Sequence, residues 1–405
     1  MKGVRCLLVA ILLSASCIVL ALLPAYAAAQ EEFVPGPAKH LTSFPFKQLT
    51  GGIIILEATL DNFKDTLNFV LDTGSGGISL DSATCSYFNL KKQMSSRIIR
   101  GIAGMKTVEF TYDHSLHFPG LTVDRLDFHI NDYDILTSVY GIKVDGIIGF
   151  SFLRRYIVQI DYDKMVLEIL TPGTIKYPKG GHLLKPQFST LPMQYMQLKD
   201  ERQIEGKYYF DTGAGLCMLL SQDLVQDSML LKKKRKIFPT QAEGLGGKKS
   251  MNLTVLKEVK IGPYKFRRVP TYIFEDEFNV TSYPVLGGLI GNDLLRRFNI
   301  TLNYPVEQIF IKPNTHYEDS FDYSYTGLGI YLVEGAVTVL DIMKGSPAEK
   351  AGFEPDDIIF GVDNNLSNNI QTYKLLLQNI KTTMKVYVLR KGKPLTLKLY
   401  VRSII

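Results

Sequence analysis

Two Asp-Thr-Gly tripeptides are the residues in this chain best suited to chemistry. The first, at 72–74, follows the apolar residues 69–71, and the second, at 211–213, follows residues 208–210. In each tripeptide the glycine permits a sharp turn of the backbone after a strand. Two carboxylates brought within hydrogen-bond reach cannot both ionise, so they hold one proton between them. One can then accept a proton from water while the other protonates a carbonyl oxygen, which is general acid–base hydrolysis.

The sequence therefore predicts a catalytic pair and a set of supporting residues. Asp72 and Asp211 are the predicted catalytic residues. The predicted supports are Thr73, Gly74, Ser75, Thr212, Gly213 and Ala214. A serine hydroxyl can donate a hydrogen bond to the neighbouring carboxylate and lower its pKa, whereas alanine cannot. We therefore expect Asp72 to be the mainly ionised member of the pair and Asp211 to hold the proton.

Both tripeptides belong to an internal repeat that implies a duplicated domain. Residues 69–76 recur as 208–215, and residues 145–155 recur as 287–297, at the similar offsets of 139 and 142. Within each copy, short alternating apolar runs are separated by Gly, Pro, Asn and Asp, a pattern typical of antiparallel strands and turns. We therefore predict a mainly β chain with a first lobe at 30–172, a linker at 173–192 and a second lobe at 193–313.

The chain resembles the bilobal aspartic peptidases, and more closely their retropepsin-like bacterial and retroviral branch. The resemblance rests on both Asp-Thr-Gly tripeptides and on the apolar-apolar-Gly motifs at 147–149 and 289–291. It implies two β-barrel lobes related by a pseudo-twofold axis, with Gly-rich hairpin flaps over the substrate. The flap candidates are Gly101, Ile102, Ala103 and Gly104 in the first lobe and Gly244, Leu245, Gly246 and Gly247 in the second. Such Gly-rich loops can equally be ordinary hairpin turns.

From Tyr325, after a polar linker at 314–324, the pattern of the sequence changes. Ser346 is suited to cap a short helix, with Glu349 completing a capping box and Gly352 ending the helix. With an Asp-Asp-Ile-Ile block at 356–359, the segment resembles a PDZ domain of the kind attached to bacterial exported proteases. The resemblance implies that a peptide C-terminus binds as an added strand at the loop of Gly327, Leu328, Gly329 and Ile330. The alternative is that the domain only packs on the peptidase, with its groove filled.

The first 29 residues have the features of an export signal. Lys2 and Arg5 precede an uncharged apolar run, and small residues offer a signal-peptidase site after Ala27 or Ala29. The alternative is an uncleaved membrane anchor, because a run of about 18 apolar residues can just span a bilayer. We therefore expect a periplasmic or secreted protein, with contact to a membrane only if this segment is retained.

Composition argues against several other classes of function. The net charge is +6, or +4 without Lys2 and Arg5, which is too small an excess to predict nucleic-acid binding. No CxxC or His/Cys cluster has metal-ligand spacing, so we predict no cofactor and no metal. Cys85 and Cys217 can either form a disulfide in an oxidising compartment or remain as free thiols. No Gly-x-Ser-x-Gly motif indicates a serine hydrolase.

Taken together, these patterns predict an exported aspartic endopeptidase acting on polypeptides, with a PDZ domain that recognises peptide C-termini. The alternative, from a different class of function, is a non-catalytic protein that binds peptides in the same cleft and in the PDZ groove. Relatives that have lost activity usually lack one of the two aspartates, and both are present here, which favours the enzyme.

Overall fold

The computed structural model describes residues 35–102, 104–244, 247–322 and 325–403. Within these ranges, a compact unit begins at Pro37. The predicted export signal lies outside the described residues, as do Ala103, Leu245 and Gly246 of the two predicted flaps. Within the described ranges, no helix is long and apolar enough to cross a membrane.

The first lobe is a closed barrel of strands. Its elements in chain order are β1 (His40–Pro45), β2 (Lys47–Gln48), β3 (Ile54–Leu60), β4 (Leu67–Leu71), β5 (Ile78–Asp81), α1 (Ser82–Tyr87), β6 (Gln93–Gly101), β7 (Gly104–Phe118), β8 (Leu121–Asn131), α2 (Asp134–Tyr140), β9 (Gly146–Ile148), α3 (Phe150–Leu153), β10 (Ile157–Asp161) and β11 (Val166–Leu170). The sheet has the order β2-β3-β4-β9-β5-β8-β7-β6, and β3 also pairs with β7. That extra pairing closes the six strands between β3 and β7 into a barrel.

The second lobe repeats this arrangement strand for strand. Its elements are β12 (His182–Leu184), β13 (Gln187–Phe188), β14 (Pro192–Lys199), β15 (Gln203–Phe210), β16 (Met218–Ser221), α4 (Gln222–Asp227), β17 (Phe238–Gly244), β18 (Gly247–Ile261), β19 (Tyr264–Phe274), β20 (Gly288–Ile290), α5 (Asn292–Leu295), β21 (Phe298–Asn303) and β22 (Gln308–Pro313). The sheet order is β13-β14-β15-β20-β16-β19-β18-β17, and the extra pairing of β14 with β18 closes the barrel. The predicted duplication and the mainly β fold class are thus confirmed.

A third sheet joins the two lobes, in the order β1-β11-β10-β21-β22-β12. Its centre is the antiparallel pair β10 and β21, in which Ile157 lies opposite Asn303 and Ile160 opposite Ile300. Strands β12 and β13 lie within the segment predicted as a linker, so part of that segment is sheet. One apolar core runs through both lobes. Strands β5 and β16 are buried at every position, which explains why the apolar residues of β16 run on instead of alternating with polar ones.

The C-terminal domain is a separate five-stranded sheet with two helices and its own apolar core. Its elements are β23 (Leu328–Val333), β24 (Ala336–Ile342), α6 (Pro347–Ala351), β25 (Ile358–Val362), α7 (Ile370–Leu376), β26 (Thr383–Arg390) and β27 (Lys393–Tyr400). The Ser346 Oγ accepts the Glu349 N–H at 3.2 Å, and Gly352 ends α6 with a φ of 83°. The predicted cap and stop of this helix are therefore present.

Helix α2 of the first lobe has no counterpart in the sequence prediction. It ends at Gly141, which adopts a left-handed φ of 70° and donates its N–H to the Thr137 carbonyl. Although none of its residues is fully buried, Leu136 and Tyr140 pack on a small apolar cluster that includes Tyr133 and Val144. The helix therefore lies on the surface of the barrel, where it can contact other parts of the molecule.

Candidate active site

The two catalytic-loop aspartates are placed by equivalent strands. Asp72 follows β4, which runs parallel to β9, and its N–H donates to the Ile148 carbonyl at 2.9 Å. Asp211 follows β15, which runs parallel to β20, and its N–H donates to the Ile290 carbonyl at 3.0 Å. The apolar-apolar-Gly motifs of the sequence therefore lie directly beside the loops that carry the carboxylates.

The two threonines of the tripeptides lock the loops together across the lobe boundary. The Thr73 Oγ1 donates to the Phe210 carbonyl at 2.5 Å and accepts the Thr212 N–H at 2.9 Å. In return, the Thr212 Oγ1 donates to the Leu71 carbonyl at 3.0 Å and accepts the Thr73 N–H at 3.1 Å. Both threonines are buried, so these four bonds are shielded from water and fix the spacing of the loops.

Gly74 and Gly213 allow the two carboxylates to approach each other. A methyl group on Gly74 would overlap the Asp211 carboxyl atoms, and one on Gly213 would overlap those of Asp72. Each glycine also donates its own N–H to the aspartate two residues earlier, at 2.6 Å to Asp72 and 2.8 Å to Asp211. Glycine is therefore required at both positions because a side chain would collide with the opposite carboxylate, whatever backbone conformation the turn needs.

The two carboxylates are partly buried and lie within hydrogen-bond reach of each other. Burial, followed by the charge of Asp211 and the hydrogen bond with it, raises the pKa of Asp72 well above its ordinary value. Burial also raises the pKa of Asp211, but the hydrogen bond from Asp72 and the N–H groups of Gly213 and Ala214 oppose that rise. The pair therefore shares one proton, and the two N–H bonds to Oδ1 of Asp211 favour the ionised form at Asp211.

This assignment is the reverse of the one expected from Ser75. Within the described part of the chain, the Ser75 hydroxyl makes no hydrogen bond to either aspartate; only its main-chain N–H lowers the pKa of Asp72. Its counterpart Ala214 donates a main-chain N–H to Asp211 at 3.0 Å. Because both loops use the backbone at this position, the difference between serine and alanine does not set which carboxylate is ionised.

The dyad lies at the floor of a cleft of about 990 Å³. The first predicted flap is the tip of the β6–β7 hairpin, here called the first flap, and its Gly101 and Ile102 line this cleft. Ile102 also packs against an apolar cluster of the opposite lobe that contains Leu219, Met251 and Phe274. The first flap therefore extends across the cleft from one lobe to the other.

The corresponding hairpin of the second lobe, β17–β18, takes a different position, and it is called here the second hairpin. Among the described residues, it contributes no lining to the catalytic cleft. Instead, its Lys248 Nζ lies 3.3 Å from the Asp341 Oδ2 of the C-terminal domain and 4.3 Å from the ring centroid of Tyr331. The prediction that Gly244 and Gly247 form a second flap over the dyad is not supported by this position, because the hairpin leans on the C-terminal domain.

The groove of the C-terminal domain lies between β23 and α7, and helix α2 of the first lobe contacts both. The Ser138 Oγ donates to the Leu332 carbonyl at 2.8 Å on β23. From α7, the Gln371 Nε2 donates to the Tyr140 carbonyl at 3.0 Å, and the Lys374 Nζ to the Val139 carbonyl at 2.7 Å. Part of the groove is therefore occupied by the peptidase lobe itself, as in the packing alternative.

The end of the groove near the predicted carboxylate-binding loop opens into a second cavity, of about 740 Å³. All four loop residues, Gly327, Leu328, Gly329 and Ile330, line it. The Leu328 N–H is bonded to the Thr326 Oγ1 at 3.2 Å, so a carboxylate would replace a hydroxyl there. The same cavity is lined by Leu136 and Tyr140 of α2, which also line the catalytic cleft.

Several residues near the dyad could not be found from the sequence. Tyr133 lines the cleft, and its hydroxyl lies 2.6 Å from the Ser79 Oγ; burial raises the pKa of Tyr133 to about 12.

Both Cys85 and Cys217 are free, buried thiols. In the ranges that the structure describes, no three His, Cys, Asp or Glu residues are grouped so as to hold a metal ion.

Comparison with known families agrees with this architecture. A family model described as aspartyl protease matches residues 56–152 and 200–294, which contain Asp72 and Asp211 respectively. A second, described as PDZ domain, matches residues 324–401. No curated protein matches the chain. The chain is therefore a fusion of an aspartyl protease domain, matched in two segments, with a C-terminal PDZ domain.

Proposed function

We propose that this protein is an aspartic endopeptidase that hydrolyses peptide bonds in extended polypeptides. The observation that carries the proposal is the pair Asp72 and Asp211, which are partly buried, lie within hydrogen-bond reach of each other and are supported by equivalent bonds from both lobes. A structural ion pair joins a carboxylate to a cation. Two carboxylates in contact with no cation between them serve no such structural role, whereas general acid–base catalysis uses a pair of this kind. The cleft above the pair is large enough to admit several residues of a peptide.

The geometry supports a mechanism without a covalent intermediate. The ionised Asp211 accepts a proton from a water molecule, whose oxygen attacks the carbonyl carbon of the substrate while Asp72 donates its proton to the carbonyl oxygen. Collapse of the resulting diol then breaks the C–N bond. In that step Asp211 passes its proton to the leaving nitrogen, and a diol proton returns to Asp72, so the pair again holds one proton.

Hydrolysis of a fluorogenic peptide mixture by the purified full-length protein, with and without pepstatin, tests the proposal. We expect turnover that pepstatin inhibits and that disappears in Asp72→Asn. Peptide binding with no turnover at any acidic or neutral pH would instead establish the rival function, a non-catalytic peptide-binding protein.

We also propose that the protein is exported, on the basis of the charged, apolar and small-residue pattern of residues 1–29. Expression of the full chain in a bacterium, followed by fractionation and N-terminal sequencing, tests this. A mature N-terminus after Ala27 or Ala29 in a soluble envelope fraction is expected. A full-length chain in the membrane fraction would show an anchor instead.

For the PDZ domain, we propose recognition of peptide C-termini at the part of the groove that α2 leaves open. The support is that residues 327–330 line the 740 Å³ cavity, together with the apolar residue Leu377. Titration of the full chain with a peptide that ends in an apolar residue, as the free acid and as the amide, tests the proposal. Preference for the acid is expected, and equal affinity for both forms would exclude carboxylate recognition.

A further inference from the structure

Among the residues that the structure describes, five arginines line the catalytic cleft, and all five come from the first lobe. They are Arg97, Arg100, Arg125, Arg154 and Arg155. Apart from the dyad, the only carboxylate among the described lining residues is Asp127, whose Oδ1 accepts the Asp113 N–H at 3.2 Å. His129 lines the same wall but adds no charge near neutral pH, because burial lowers its pKa to about 4. This wall of the cleft is therefore strongly positive.

The contacts of these arginines leave their charges uncompensated. Arg155 donates to the main-chain carbonyls of Asp124 and Arg125, at 2.6 and 3.0 Å. The guanidinium of Arg97 lies 5.2 Å from the ring centroid of Phe110, and that of Arg154 lies 5.8 Å from the ring centroid of Phe150. Among the described residues, none of the five forms a salt bridge. Carbonyls and rings therefore orient the guanidinium groups of Arg97, Arg154 and Arg155 without neutralising them.

The internal repeat shows that this lack of partners is specific to the first lobe. Arg154 and Arg155 correspond to Arg296 and Arg297 of the second lobe, and Ser151 corresponds to Asp293. In the second lobe, the Asp293 Oδ1 lies 3.2 Å from the Arg296 Nε and 3.5 Å from the Arg297 Nη1, and all three residues are buried. In the first lobe the acidic partner is replaced by serine, and Ser151 itself lines the cleft.

We propose that the five cleft arginines, here called the arginine wall, select polypeptide substrates that carry Asp or Glu on one side of the bond to be cleaved. The proposal rests on the endopeptidase function proposed above. Cationic side chains around a cleft with low-dielectric walls attract acidic groups and can pair with them once water is displaced. Because all five arginines belong to one lobe, the preference is expected at adjacent positions on one side of the scissile bond only.

The test is a set of fluorogenic peptides that differ only by Asp, Asn or Lys at each position around a common cleavage site. We expect kcat/KM to be about three- to tenfold higher for Asp than for Asn at two or more adjacent positions on one side, and lower for Lys. The ratio is expected to shrink as salt is added, because exposed charges are screened. Equal rates for Asp and Asn at every position, with turnover intact, would overturn the proposal and leave the peptidase function standing.

Two variants show whether the arginine wall is the cause. Ser151→Asp restores in the first lobe the partner that the second lobe has, so the Asp/Asn ratio is expected to fall towards one, whereas Ser151→Asn is expected to keep it. Arg154→Gln is expected to lower the ratio, and Arg267→Gln, on a surface of the second lobe away from the cleft, is the matched control and should not. A ratio unchanged in both Ser151→Asp and Arg154→Gln would contradict the proposal.

A binding measurement separates this proposal from the catalytic one. Fluorescence anisotropy of labelled Asp- and Asn-containing peptides with the Asp72→Asn variant reports selection without turnover. If the variant prefers the acidic peptide while the wild-type protein hydrolyses no peptide, the selection of acidic peptides stands and the peptidase proposal is overturned. Equal binding, like equal rates, would overturn the selection.

Discussion

The two lobes have the same strand order and the same threonine hydrogen bonds between the dyad loops, yet they differ outside the dyad, for example in their hairpins and in their paired arginines. The first flap extends over the cleft, whereas the second hairpin leans on the PDZ domain through Lys248. The paired arginines after α3 are exposed or half-buried in the cleft, whereas those after α5 are buried with Asp293. The symmetry is kept where each lobe needs its partner to build the site. It is lost where each lobe meets a different neighbour.

The equivalence of the two dyad loops would be contradicted most strongly if the protein stayed active without one of its two aspartates. Because the pair shares a proton and acts as a unit, Asp72→Asn and Asp211→Asn are each expected to lower kcat at least about 10³-fold. Steady-state hydrolysis of a fluorogenic peptide measures this, with circular dichroism and a melting curve to show that each variant is folded. Near wild-type turnover in either folded variant would contradict the mechanism.

The second comparison is between Asp293 and its counterpart Ser151. Asp293 is fully buried; besides its two arginines, its Oδ2 accepts the Asp322 N–H at 2.8 Å and the Cys217 thiol at 3.0 Å. Arg296 keeps a second partner, Asp322, at 3.2 Å, but among the described residues the buried Arg297 loses its only salt bridge. Asp293→Asn is therefore expected to lower the free energy of unfolding by about 3 kcal/mol. Urea denaturation at neutral pH measures it. Ser151→Ala is the matched control and should cost no more than about 0.5 kcal/mol; similar losses in both variants would show that the two positions are equivalent after all.

The third comparison is between the first flap and the second hairpin. Ile102 contacts the apolar cluster of the second lobe, so Ile102→Ala is expected to weaken flap closure and lower kcat/KM about tenfold, which corresponds to about 1.4 kcal/mol. Lys248→Ala in the second hairpin removes a contact with the PDZ domain and is expected to leave kcat/KM of a short amidated peptide nearly unchanged. If Lys248→Ala has the larger effect of the two, the second hairpin also acts as a flap.

The smallest expected effect concerns Ser75 and the pH dependence of activity. Activity requires Asp211 to be ionised and Asp72 to be protonated, so it falls at low pH as Asp211 gains a proton and at high pH as Asp72 loses one. The raised pKa of Asp72 moves the high-pH limb above the ordinary carboxyl range. Because no hydrogen bond joins the Ser75 hydroxyl to the dyad in the described part of the chain, Ser75→Ala is expected to shift the low-pH limb by less than about 0.3 units. A pH–rate profile measures this shift. An upward shift near one unit would show that Asp72 is the ionised member of the pair.

Much of the fold and the meeting of Asp72 with Asp211 could be predicted because the information is local and repeated. Asp72 and Asp211 each end an apolar strand and are followed by the same short motif, and the repeat gives the pseudo-symmetry that brings them together. The cap of α6 was equally predictable, since Ser346, Glu349 and Gly352 all belong to one short helix and its two ends. Patterns of this kind do not depend on distant parts of the chain.

The features that were missed depend on contacts between distant residues. The position of the second hairpin is set by Asp341, some 93 residues beyond Lys248. The covering of the PDZ groove depends on Ser138 and Leu332, which are 194 residues apart. The arginine wall did leave a signal, because Ser151 stands where the repeat has Asp293, but that difference has meaning only once the cleft is known to lie beside it.

Helix α2 forms part of the wall of both the catalytic cleft and the cavity at the PDZ loop. Thermodynamic linkage therefore constrains how ligands at these two sites affect each other. Leu136 and Tyr140 face both the catalytic cleft and the cavity at the PDZ loop, while Ser138 bonds to β23 of the groove. A ligand that shifts α2 in one site therefore changes the free energy of binding in the other. Linkage requires the effect to be reciprocal: the factor by which a peptide C-terminus changes affinity for substrate is the factor by which substrate changes affinity for that peptide. One measured coupling constant would thus describe both directions of communication between the two domains.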